Sequence, residues 1–139
     1  MSVLAQILIS ASSAIVLSLG TLHLVYTFFS NKFSPRDKAM AEQMKMVSPV
    51  ISRQTTMWRA WIGFNASHSL GAMLFGLLYG YLSIFHPSFL LEAPFLLAIG
   101  ALFLGCFLVL AKRYWFNVPL AGIACSLILF LVGTALTLV

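Results

Sequence analysis

Charge is what this chain has least of. Of its 139 residues, 8% are charged and 61% hydrophobic, whereas a soluble domain carries about 25% charged residues. So few charges cannot cover a water-facing surface, and lipid is the solvent that suits most of the chain. Acids are the scarcer charge: three, at Asp37, Glu42 and Glu92, none inside an apolar run. That argues against a carboxylate-driven proton or cation pump and against the embedded-acid exchange of small multidrug transporters. Cysteine is rarer still, at two residues. Cys106 and Cys125 both lie within apolar runs and form no C-x-x-C, which removes quinone-linked disulfide chemistry and makes a structural disulfide a poor expectation. There is no H-E-x-x-H, no histidine box and no glycine-rich nucleotide loop.

What is present is apolar sequence in four long runs. The first, Val3 to Phe29, lacks a preceding basic region and is too long for a cleaved signal, so it is expected to be a retained span. The others run from about 60 to 85, 94 to 111 and 115 to 138, each long enough for a bilayer that needs roughly 20 helical residues. The expected fold is all-α: one transmembrane domain over 1–139, a polytopic membrane four-helix bundle. Between spans one and two, Ser34-Pro35-Arg36-Asp37 reads as a helix start with Ser34 as N-cap, Pro35 at the first position and Asp37 at the third. Met40, Met44 and Val47 follow at helical spacing, predicting a short amphipathic cytoplasmic helix lying on the leaflet and ended by Ser48-Pro49. Lys112-Arg113 are expected to punctuate a tight turn between spans three and four.

The eight basic residues set the orientation. Lys32, Arg36, Lys38, Lys45, Arg53 and Arg59 precede or open span two, and Lys112 and Arg113 follow span three. All fall on one side, which the positive-inside rule makes cytoplasmic. The expected location is therefore the cell inner (cytoplasmic) membrane, multi-pass, with both termini on the non-cytoplasmic side. The same clustering reads as topology and not as a nucleic-acid footprint.

Span two carries the chemistry. On a wheel of 100° per residue, Trp58, Trp61, Asn65, His68, Ser69, Ala72, Gly76, Tyr79, Gly80 and Ser83 fall in one arc, while Leu70, Met73, Leu74, Leu77, Leu78 and Ile84 fall outside it. Ala72, Gly76 and Gly80 form a small-xxx-small strip suited to close helix packing. Asn65 and His68 lie one turn apart and need hydrogen-bond partners in a low-dielectric setting. Span one offers His23, on a stripe with Gly20, Thr27 and Ser30 and at a similar expected depth.

His23, Thr27, Arg59, Trp61, Asn65, His68 and Ser69 are thus the candidate ligand-binding residues. Arg59 would either snorkel to the interface or meet a phosphate or carboxylate. The pattern points to an intramembrane polar site, facing the cytoplasmic half, that binds or acts on a lipophilic molecule of lipid, sterol or quinone type. One alternative is a non-catalytic subunit or assembly factor that uses the small-residue strip to hold a partner helix, as a homo-oligomer or with another membrane protein. A further alternative is haem or metal binding, with His23, His68, Cys106 and Cys125 as the conceivable ligands. No cofactor and no catalytic residue is specified by any motif.

The segment Trp58–Gly71, W-R-A-W-I-G-F-N-A-S-H-S-L-G, resembles the signature of an uncharacterised family of small bacterial four-helix membrane proteins. The resemblance implies a four-span fold over most of the chain and brings no activity, cofactor or site residue with it.

Overall fold

A computed structural model describes residues 3–136. Its described residues form six helices and no strand: α1 (Val3–Phe29), α2 (Lys38–Met46), α3 (Met57–Phe85), α4 (Pro87–Leu91), α5 (Pro94–Tyr114) and α6 (Asn117–Ala135). The fold is all-α, and α1, α3, α5 and α6 are each long and apolar enough to cross a membrane. Even the shortest, at 19 residues, reaches about 28 Å at 1.5 Å per residue, close to the roughly 30 Å of bilayer hydrocarbon.

Several boundaries differ from expectation for local reasons. The fourth helix begins at Asn117 and not at Trp115, because Trp115 and Phe116 are extended and make the connection from α5. Pro119 is then in the first turn, where its missing N–H has no intrahelical acceptor to lose. Positions 137 and 138, expected in this span, lie outside the described residues. Lys112 and Arg113 are not in a turn; they form the last turn of α5, where cations complement the exposed carbonyls of a helix end. The α2 N-cap is Asp37, not Ser34: its carboxylate accepts from the Ala39 N–H at 2.8 Å. Ser34 instead closes a turn by donating its N–H to the Asn31 carbonyl at 3.0 Å. Helix α4 was not anticipated. Pro87 stands at its start and Leu90 is fully buried.

Packing divides the chain into two compact units, Gly20–Gly71 on the one hand and Met1–Leu19 with Ala72–Val139 on the other. In the second unit, α1 meets α3 backbone to backbone. A Cβ on Gly76 would lie 2.6 Å from Leu17 Cβ and 2.8 Å from both Leu17 N and Ser13 O. Serines link the same helices: Ser10 and Ser83 share a hydrogen bond of 2.8 Å, and Ser12 and Ser126 one of 2.7 Å between α1 and α6. These are the interhelical polar contacts expected where lipid supplies no hydrophobic drive for helix association. On the α5 side, Phe75 of α3 stacks on Phe103 at 5.0 Å, Tyr79 donates to the Leu96 carbonyl at 2.6 Å, and Gly100 gives room to Phe130. The four apolar helices of this unit thus pack as a bundle around Ile9, Phe75, Tyr79, Leu104 and Phe130.

The wheel reading of α3 describes most of its two faces, although Trp61 on the polar arc is exposed and Met73 outside it is half-buried. Ser69, Ala72, Gly76, Tyr79 and Ser83 are buried, while Leu70, Leu74, Leu77, Leu78 and Ile84 are exposed. The strip Ala72–Gly76–Gly80 serves packing within the chain, chiefly through Gly76 on α1.

Candidate functional site

The Gly20–Gly71 unit holds the C-terminal part of α1, the connector with α2, and the N-terminal part of α3. His23 comes from α1, in the turn and a half before the helix ends at Phe29. Asn65 and His68 come from α3, where the i, i+3 spacing puts them on one face.

These residues form a directed network. Asn65 donates its side-chain amide to the Trp61 carbonyl one turn earlier at 2.8 Å. That contact needs a donor, so it fixes the amide's orientation and turns Oδ1 outward. Asn65 Oδ1 then lies 3.0 Å from His23 Nε2. An amide oxygen only accepts, so Nε2 must carry the hydrogen, and in the neutral ring Nδ1 is left as the acceptor. The His68 ring sits edge-on to His23 with centroids 5.2 Å apart. Both imidazoles are half-buried.

A residue that the sequence did not flag completes the arrangement. Phe33, in the connector after α1, packs on His23 with centroids 4.4 Å apart. Its carbonyl accepts from Trp61 Nε1 at 2.9 Å, so Trp61 straps the connector down onto the start of α3. The only available signal was an aromatic isolated in a polar stretch, Asn31-Lys32-Phe33-Ser34, and aromatic residues in a loop have no periodicity to read.

The other candidates play smaller parts. Thr27 is buried and donates to the His23 carbonyl at 2.8 Å. Ser69 is buried and donates to the Asn65 carbonyl at 2.9 Å. Both hydroxyl hydrogens are therefore spent within their own helices, although the oxygens can still accept. Arg59 is not brought to the cluster. It is exposed, and six residues before Asn65 it stands about 120° away around α3.

Among the described residues no three His, Cys, Asp or Glu side chains are placed to hold a metal ion, and Cys106 and Cys125 are both exposed. The third histidine, His86, is the N-cap of α4 and bonds Tyr81 Oη at 3.2 Å.

What the cluster can do follows from its groups. It has a ring nitrogen donor already engaged by Asn65, a second imidazole alongside, and an aromatic wall in Phe33. Such a set suits hydrogen bonding to one polar group on an otherwise apolar molecule. No family model, curated protein or solved structure matches the chain.

Proposed function

We propose that this is a small protein of the cytoplasmic membrane whose paired histidines bind the polar end of a lipophilic molecule, such as a lipid, sterol or quinone. The observation that carries the reading is the His23–Asn65–His68 arrangement: two half-buried imidazoles in contact, one of them oriented through an amide that is itself fixed by its own helix. Buried polar groups in apolar spans are costly unless satisfied. The hydroxyls of Thr27 and Ser69 are satisfied within their helices, so the reading rests on the chemistry of the imidazole pair itself.

In this reading the termini lie on the non-cytoplasmic side. Support comes from the basic residues, which all fall after α1, before or at the start of α3, or in the last turn of α5, the ends that an alternating four-span topology puts together on the cytoplasmic face. The assembly-factor alternative is weakened, since its proposed partner surface, the Ala72–Gly76–Gly80 strip, is occupied by α1 at Gly76.

The test is mass spectrometry of small molecules that co-purify with the protein, compared with those from His23→Ala and His68→Ala. A lipophilic compound enriched with the parent protein and lost from both folded variants is the expected result. An identical lipid background in all three would sink the proposal, and a Soret band in the purified protein would replace it with haem.

A further inference from the structure

Helix α5 carries an open, apolar groove of about 620 Å³ lined by Ala101, Leu102, Gly105, Cys106, Val109 and Leu110. Its floor is made by small residues: a Cβ built on Gly105 meets nothing within 4 Å. Two rows at four-residue spacing, Ala101–Gly105–Val109 and Leu102–Cys106–Leu110, run side by side along it for nine residues, or about 14 Å of helix.

The groove ends at charge. Arg113 is the next member of the Ala101–Gly105–Val109 row. Lys112 lies three residues beyond Val109 and seven beyond Gly105, so it returns to the same face. Both are exposed. Among the described residues no carboxylate pairs with either; the ion pair found there joins Lys45 to Glu42. An open apolar groove along a helix of membrane-spanning length, followed within a turn by two exposed cations, has the shape and charge for one occupant.

We infer that this face of α5 is a binding site for an anionic phospholipid, with an acyl chain along the Ala101–Leu110 groove and the headgroup phosphate on Lys112 and Arg113. Basic residues at the cytoplasmic end of a span attract anionic lipid, by about 1 kcal/mol per side chain near the surface, and arginine adds a fork that matches phosphate geometry. A zwitterionic lipid would fill the groove equally well but gain less at the two cations. The site is separate from the histidine cluster, and its test does not depend on what that cluster binds.

The full chain, in detergent with equimolar phosphatidylglycerol and phosphatidylcholine of matched acyl chains, is analysed by native mass spectrometry. Retention of phosphatidylglycerol over phosphatidylcholine is expected, and the preference should fall roughly 30-fold in Lys112→Gln/Arg113→Gln, as two lost cations imply. Gly105→Leu should lower occupancy by both lipids while leaving the cations in place. Lys112→Arg/Arg113→Lys should keep the preference. If the double glutamine variant fails to fold, the two single glutamine variants decide, each expected to lose part of it. An unchanged preference in the glutamine variants overturns the inference. So does a chain dimer that Gly105→Leu dissociates with lipid occupancy unaltered, since the occupant would then be a second copy.

Discussion

Replacing Gly76 by alanine should loosen the contact between α1 and α3, and the size of the effect can be worked from the geometry. The added methyl would sit 2.6 Å from Leu17 Cβ and 2.8 Å from Leu17 N and Ser13 O. Two of these three atoms are backbone, so no rotamer change clears them. Reaching an ordinary contact of 3.4 Å requires α1 to back away by about 0.6–0.8 Å at this point. Overpacking of this kind costs about 1–3 kcal/mol, offset by up to about 1 kcal/mol from the better helix propensity of alanine. The net expectation is a loss of about 1 kcal/mol, reaching about 2 kcal/mol if α1 cannot yield. Gly80 provides the control on the same strip. Its Cβ would stand 3.6 Å from Ser13 Cβ, an ordinary contact, so Gly80→Ala should be neutral or slightly stabilising. Gly63 and Gly71, with nothing within 4 Å, should behave like Gly80. Thermal unfolding of the detergent-solubilised protein, followed by tryptophan fluorescence, ranks the four variants. Should Gly76→Ala melt with or above Gly80→Ala, the close approach of α1 and α3 would be refuted, and the strip would be free again for a partner helix.

Two further predictions address the histidine cluster. A double-mutant cycle on His23→Phe and Asn65→Leu should return a coupling of about 0.6 kcal/mol, with about 1.7 kcal/mol as the upper end for side-chain hydrogen bonds between membrane helices; a coupling indistinguishable from zero means that the 3.0 Å contact does not hold the helices. In nitrogen NMR, neutral His23 should carry its hydrogen on Nε2, because Asn65 presents an oxygen there. A proton on Nδ1 would reverse the assigned amide orientation and with it the donor–acceptor layout proposed for the ligand.

How much of this was legible in the sequence depended on what kind of signal each feature left. The spans follow from long apolar runs, and the α3 faces from the contrast between Leu70, Leu74, Leu77 and Leu78 and the small or polar residues between them. Where a helix is apolar all round, that contrast disappears. Cys106 and Cys125 could be assigned to spans three and four but not to a side, and both proved to be exposed, which is why a mixed histidine–cysteine site was conceivable on paper. The motif Ser34-Pro35-Arg36-Asp37 reads as a cap at Ser34, but the structure puts the cap at Asp37, three residues later. The choice rests on which oxygen reaches an unpaired N–H, and Asp37 reaches that of Ala39.

The site divides along the same line. His23, Asn65 and His68 could be found because isolated polar residues stand out against apolar helices and share a periodic face. Phe33 could not, since its role depends on the path of a connector and on Trp61 Nε1 capturing its carbonyl. That contact holds the connector so that the Phe33 ring packs on His23 without using any polar group of the imidazole pair. A ligand that hydrogen-bonds the histidines would therefore meet Phe33 as a wall and Trp61 as its brace. The selectivity of the site would then be set as much by the connector between α1 and α2 as by the two helices that supply its nitrogens.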